Sequence, residues 1–114
     1  MKKLVKTIYN TTIKNGGASY NLKGKSPSKG FMVADFGTEE KIPVKEFTKE
    51  RIHKYILNHR KQLKGKCFGT WLNDGYVYLD ISKNIHDKEK AMIQGKQNKQ
   101  LAIFDLSSFE SINL

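Results

Sequence analysis

The sequence has 114 residues, enough for one domain, and its 38% hydrophobic and 11% aromatic residues exclude a disordered chain despite the high charge. Lys and Arg number 21 against 11 for Asp and Glu, a formal net charge of +10, which attracts polyanions such as nucleic acid. The single cysteine, Cys67, excludes an intramolecular disulfide, and no apolar run approaches the roughly 20 residues of a membrane span, so we expect a soluble cytoplasmic protein with no membrane partner.

The N-terminal part predicts a helix, a strand and a loop in that order. Apolar residues at helical spacing favour a helix over 1–15, which Gly16-Gly17 ends. A short strand over 18–22 follows. Residues 23–30 are rich in Gly, Ser and Lys and contain a proline, which predicts a loop. This basic loop either grips phosphates or is a plain surface loop.

The middle of the chain predicts two strands and a second helix. The apolar run over 31–36 has the length of a strand, and a turn at Gly37 leads back into a strand over 41–44. Thr48 is a favourable N-cap for a helix over 48–63, which has an apolar face and a basic one.

A β-hairpin is predicted over 67–72 and 76–81. The two segments flank Asp74-Gly75, a strong signal for a tight hairpin turn. Apolar and polar residues alternate along the second segment, so one of its faces is expected in the core and the other outside it.

The C-terminal part predicts a third helix over 88–98, capped by Asp87, then a buried strand over 101–106 and a weakly ordered tail over 107–114. Helices and strands do not alternate strictly, so the predicted fold is a single α+β domain over residues 1–114. Its sheet is expected to be mostly antiparallel with about five to six strands, accompanied by three helices.

Positive charge is concentrated in the helices and the first loop. Residues 1–30 hold seven lysines and no acid, and residues 45–66 hold eight basic and two acidic residues. If the main helices lie on one side of the sheet, their lysines merge into one basic face. The alternative is that each helix has an ordinary solvated side and that the charge serves solubility.

Aromatic side chains on the hairpin are a second candidate for binding. Trp71, Tyr76 and Tyr78 lie close together, and the two tyrosines point to the same face as Asp80. Exposed aromatics framed by lysines are typical of sites for single-stranded nucleic acid. The alternative is cross-strand pairing under a helix. The predicted nucleic-acid or partner-binding residues are Lys23, Lys25, Lys29, Lys49, Lys54, Arg60, Lys61, Lys64, Trp71, Tyr76, Tyr78, Lys96 and Lys99.

No catalytic, metal-binding or cofactor-binding set is predicted. The GKS at residues 24–26 is similar to the end of a phosphate-binding P-loop, but Ser19 occupies the position of the first glycine in that motif. Asp80 and Asp105 either project beside helix lysines or share a pocket as the acid–base pair of a hydrolase. Cys67 is interpreted as a small apolar filler of its strand, with a nucleophilic role as the alternative.

Three runs of the chain resemble a family of short, uncharacterised proteins of phages and mobile elements of Gram-positive bacteria. They are GTWLNDGYVYLDIS at residues 69–82, QLAIFDL at 100–106 and PSKGFMVA at 27–34. The resemblance covers residues 5–106 and brings no catalytic residues with it. It implies a bacterial host cell as the setting, where small phage proteins bind phage nucleic acid or host machinery, including CRISPR and other defence systems.

The leading hypothesis is a non-enzymatic accessory protein that binds nucleic acid or a host nucleoprotein through a basic face and inhibits a host defence system, as anti-CRISPR proteins do. The first alternative is a protein–protein adaptor or homo-oligomeric structural protein whose charge serves solubility. The second is a small hydrolase or nucleotide-binding enzyme.

Overall fold

A computed structural model of residues 1–114 contains three α-helices and seven strands, so the predicted α+β class is confirmed with one more strand than expected. In chain order the elements are α1 (Lys2–Asn15), β1 (Gly17–Asn21), β2 (Phe31–Ala34), β3 (Glu40–Pro43), a 3-10 turn (Val44–Glu46), α2 (Lys49–Asn58), β4 (Cys67–Asn73), β5 (Tyr76–Ile85), α3 (Lys88–Gln97), β6 (Ala102–Asp105) and β7 (Glu110–Asn113).

The strands form one sheet in the order β1-β4-β5-β2-β6-β7, and every pair is antiparallel. The long strand β5 organises the sheet. On one side it pairs with β4, and its other side is shared end to end by β3, opposite residues 76–79, and β2, opposite residues 82–85. The strand predicted over 41–44 is thus present as β3, and its partner is β5. The chain stays beside β5 through the turn because Asp35 donates its N–H to the Ile81 carbonyl at 2.8 Å.

All three helices pack against the same face of the sheet. Val77, Leu79 and Ile81 of β5 point into a core shared with α1 and α2, while Ala91 of α3 packs with Val33. Alternation along regularly paired strands places these residues on one side. The helix layer therefore leaves the opposite face of the sheet without a helix.

A buried pair of hydroxyl groups joins α1 to the sheet. Thr12 donates to the Ile8 carbonyl at 2.7 Å, and its Oγ1 lies 2.5 Å from Thr70 Oγ1. Because the Thr12 hydroxyl donates its only proton to the Ile8 carbonyl, the Thr70 hydroxyl must donate to Thr12 Oγ1. Both hydroxyls are thus satisfied within the core.

Helix α2 ends at Asn58 and not at residue 63 as predicted. His59 follows the helix, its Nδ1 lies 2.9 Å from the Tyr55 carbonyl, and its ring stacks on Tyr55 at a centroid distance of 4.0 Å. Separate turns then carry the chain to Leu63, which is buried as the apolar pattern predicted. The imidazole contact with Tyr55 therefore lies where the helix ends.

The C-terminal part differs from its prediction in two places. Strand β6 buries only Ile103, whereas Leu101 is 90% exposed, so the predicted fully buried strand over 101–106 is wrong. The predicted weakly ordered tail over 107–114 contains β7, which pairs with β6. No helix combines the length and the apolar composition needed to cross a membrane.

Candidate functional site

The sheet face turned away from the helices is the candidate site. We call it the open face: it consists of residues 76, 78, 80, 82 and 84 of β5 and the residues paired with them on the neighbouring strands. Trp71 is 56% exposed and Tyr76 is 40% exposed on this face. The alternative of cross-strand pairing under a helix is right about the pairing, since Trp71 and Tyr78 are cross-strand partners, but wrong about the cover, since no helix lies over these aromatics.

Three aromatic rings and one lysine form a contiguous cluster on the open face. Trp71, Tyr78 and Lys41 lie opposite one another on β4, β5 and β3. The Trp71 and Tyr78 ring centroids are 5.3 Å apart with the planes at 35°. The Lys41 ammonium lies 4.3 Å from the Tyr76 ring centroid and 5.7 Å from that of Tyr78, within cation–π distance. We call these four residues the aromatic cluster.

A basic groove continues the open face at its other end. It has a volume of about 570 Å³ and lies between loop residues 22–27 and residues 63–67, which lead into β4. The four lysines lining it are Lys23, Lys25, Lys64 and Lys66, and no carboxylate lines it. We call it the lysine groove. Its concentration of positive charge without acids suits an anion.

The lysine groove is built on a loop held at both ends. Asn21 Oδ1 accepts the backbone N–H of Lys23 at 2.9 Å and that of Lys25 at 3.0 Å. Between them Gly24 has a φ of +80°, which favours glycine. At the far end Asn84 donates to the Lys29 carbonyl at 2.9 Å. These hydrogen bonds order the backbone from which two of the groove lysines project, which lowers the entropy cost of binding.

Asp80 lies between the aromatic cluster and the lysine groove. It pairs with Gly69 of β4, and a Cβ at Gly69 would be 2.5 Å from Asp80 Oδ1, so the carboxylate lies over the glycine backbone. Burial raises the pKa of Asp80 to about 6, against a lowering by the Ser82 hydroxyl. The negative charges of Glu39 and Asp35 raise this pKa further. Ser82 donates to Oδ1 at 3.3 Å.

The thirteen predicted binding residues divide between the two sides of the sheet. Lys23, Lys25 and Lys64 line the lysine groove, Lys29 lies in the same loop, and Trp71, Tyr76 and Tyr78 belong to the aromatic cluster. Lys49, Lys54, Lys96 and Lys99 lie on or just after α2 and α3, and Arg60 and Lys61 lie in the turns after α2. The predicted basic residues on and after α2 and α3 are therefore not next to the aromatic side chains of the hairpin.

Few of the basic side chains are neutralised within the chain. The structure has two ion pairs, one between Arg51 and Glu40 and one joining Lys66 Nζ to Asp35 Oδ2 at 2.6 Å. Two of the 21 basic residues are therefore paired, and the other 19 form no ion pair. Within the lysine groove only Lys66 is paired, which leaves three lysines free for an anion.

The residues of the hydrolase alternative are not brought together. Asp80 is on the open face, whereas Asp105 lies two strands away on the helix side, so the alternative of a shared pocket is wrong. Hydrogen bonds from the hydroxyl and N–H of Ser107 lower the pKa of Asp105. Burial raises the pKa of Cys67, which keeps it a thiol. No three His, Cys, Asp or Glu side chains are grouped to hold a metal ion.

Comparison with known proteins identifies no relative: no protein-family model, curated protein or solved structure matches the chain. The resemblance to phage proteins therefore stays a prediction.

Sequence reasoning missed several residues of the site. Lys41 joins the aromatic cluster only because β3 pairs with β5, and Lys66 enters the lysine groove from the α2–β4 connection. Asn21 and Asn84 hold the loop from two distant strands. The only local signal was the Asn-x-x-Gly spacing at Asn21, which is typical of a side-chain-stabilised turn.

Proposed function

We propose that the protein binds single-stranded nucleic acid across the open face. One observation carries the proposal: an exposed aromatic cluster and an acid-free lysine groove occupy the same helix-free face of one sheet. Bases stack on the aromatic cluster, and phosphates lie in the lysine groove. This is the combination by which proteins hold single strands without reading their sequence.

The dimensions of the open face fit a short piece of strand. Cys67, at the lysine groove, and Trp71, in the aromatic cluster, are four residues apart on β4, which corresponds to about 13 Å. A strand can therefore contact both regions without spanning the whole protein. Stacking contributes about 1–3 kcal/mol per base, and the lysines add a salt-dependent term.

Single strands are expected to bind better than duplexes. In a duplex the base faces are stacked on one another and cannot reach Trp71 or Tyr78, so only the lysine groove remains in use. In the phage setting that the sequence suggests, we propose that the bound strand belongs to a host defence nucleoprotein, whose action the binding inhibits.

The experiment is a titration of a fluorescently labelled 12-nucleotide single strand by anisotropy at several salt concentrations. The test variant replaces Lys23, Lys25 and Lys64 with Gln. The matched control replaces Lys3, Lys6 and Lys54, which are exposed on α1 and α2, and so removes the same charge from the helix layer. We expect the groove variant to lose about two units of the slope of log K against log salt, because each phosphate contact contributes roughly 0.7.

Equal losses in the two triple variants would contradict the proposal, because the binding would then follow net charge and not the open face. No binding of the wild-type protein at low salt would also overturn it.

A homo-oligomer is the second candidate function, and exposed apolar side chains favour it. Leu101 is 90% exposed and Phe109 is 77% exposed, both close to the β6–β7 pair, and β7 is an edge strand. An edge strand with nearby apolar side chains can pair with the same strand of a second copy. Light scattering after size-exclusion chromatography tests this. A protein that is still monomeric at about 100 µM would have a dimer dissociation constant above that concentration, which would rule out a stable homo-oligomer.

A further inference from the structure

We propose that Asp80 recognises guanine in the bound strand by accepting two hydrogen bonds from the edge of the base. This inference rests on the proposed binding of single strands to the open face and names the base that this face prefers.

The position of Asp80 places an acceptor beside the stacking surface. Tyr78 and Asp80 are two residues apart on β5 and point to the same face, a separation of about 7 Å. A base that stacks on the aromatic cluster therefore turns one of its edges towards the carboxylate. Gly69 has no side chain, so the Asp80 carboxylate can lie over its backbone and keep this position beside the rings.

The carboxylate has unused hydrogen-bonding capacity. Ser82 donates to Oδ1, but no protein group donates to Oδ2, which is not sealed from solvent. No basic side chain forms an ion pair with Asp80. The charged groups that act on it, Glu39 and Asp35, are both negative. No ion pair therefore holds Asp80 in place. Oδ2 has no protein donor, and Oδ1 accepts one long hydrogen bond from Ser82 and keeps a second lone pair, so both oxygens can accept from a ligand.

The chemistry of an ionised carboxylate selects guanine among the bases. A carboxylate only accepts hydrogen bonds and can take two parallel N–H groups at once. Guanine offers two neighbouring donors on its pairing edge, N1–H and the N2 amino group. Adenine, cytosine and thymine or uracil each place an acceptor beside their donor, and that acceptor repels the carboxylate. A bidentate pair of this kind discriminates by about 1–3 kcal/mol, which corresponds to roughly five- to 150-fold in affinity.

The experiment compares 12-nucleotide thymidine strands that carry a single central guanine, adenine or cytosine with the strand of thymidine alone. For the wild-type protein at pH 7.5 we expect the guanine strand to bind at least fivefold more tightly than the other three. In Asp80→Asn, whose amide presents one donor and one acceptor, we expect this preference to disappear while the affinity for the thymidine strand is kept.

A second variant separates position from charge. Gly69→Ala puts a methyl group where the carboxylate now lies, so Asp80 must move while its charge stays. We expect it to reduce the guanine preference, and thermal melting by circular dichroism checks that both variants fold. Equal binding of all four strands by the wild-type protein would overturn guanine recognition and leave the proposed function standing. If none of the four strands bound, both would fail.

Discussion

The helix layer and the open face are both basic, yet they differ in what accompanies the charge. On the helix layer, lysines occupy the solvent side of α1 and α2, whose other side is buried in the core. On the open face, lysines line a groove without acids and adjoin exposed aromatic rings. The first arrangement is what any surface helix shows. The second combines charge, stacking surface and a pre-ordered loop, so net charge alone does not locate a binding site.

Removing the exposed tryptophan gives the largest single-residue effect that we expect. Trp71→Ala should weaken binding of a single strand about tenfold or more, because it removes one stacking surface. Phe109→Ala is the matched control, since Phe109 is also exposed but lies beyond the open face on the β6–β7 connection. Isothermal titration calorimetry measures both. A weakening of the same size in Phe109→Ala would remove the distinction between the two regions.

Asp80 is expected to destabilise the fold, in contrast to the acids that form ion pairs. Its pKa of about 6 in the folded chain lies above the 3.8 of an unperturbed group, so the folded protein resists its ionisation. The cost is absent below about pH 4, grows as the pH rises to about 6 and is complete above it, where it reaches about 2–3 kcal/mol at most.

Asp80→Asn should therefore raise the melting temperature at pH 7 by about 5 °C or more and leave it nearly unchanged at pH 4. Glu40→Gln is the contrasting variant, because Glu40 is paired with Arg51 and its loss should not raise the melting temperature at pH 7. Differential scanning calorimetry at both pH values gives the comparison. A lower melting temperature of Asp80→Asn at pH 7 would show that the carboxylate stabilises the fold.

The smallest effect is expected at Lys41. Its ammonium group lies over the Tyr76 ring in an exposed position, where a cation–π contact contributes about 0.5–1 kcal/mol. Because this contact orders the Tyr76 ring before a base stacks on it, Lys41→Gln should weaken strand binding by no more than about threefold. Lys45→Gln, on the adjoining 3-10 turn, serves as the charge-matched control. Anisotropy titrations at low salt resolve this difference. If the two variants bound alike, Lys41 would contribute through long-range charge only.

Local signals in the sequence predicted the parts of the fold that local interactions determine. Asp74 and Gly75 both have positive φ, as the hairpin turn requires, and the side chains of Thr48 and Asp87 accept N–H groups at 3.1 and 3.0 Å from the helices they cap. These features depend on residues close together in the chain.

Contacts between segments that are distant in the chain could not be predicted from the local sequence pattern. The side of the sheet on which α3 packs depends on where β2 pairs, and the lysine groove joins residues 22–27 to residues 63–67. The glycine within α3 had no local explanation. A Cβ at Gly95 would lie 2.9 Å from Ile103 Cγ2 and 2.6 Å from Leu114 Cδ1, so close packing on the sheet requires it.

The most direct test is an NMR titration of ¹⁵N-labelled protein with a 12-nucleotide single strand, because the chain has a single tryptophan and its indole N–H signal reports on Trp71 alone. We predict shifts of that signal and of the amides of β4, β5 and residues 22–27, with α1 and α2 little changed. Shifts confined to α1 and α2, with the indole signal unmoved, would place the binding on the helix layer and contradict the proposal.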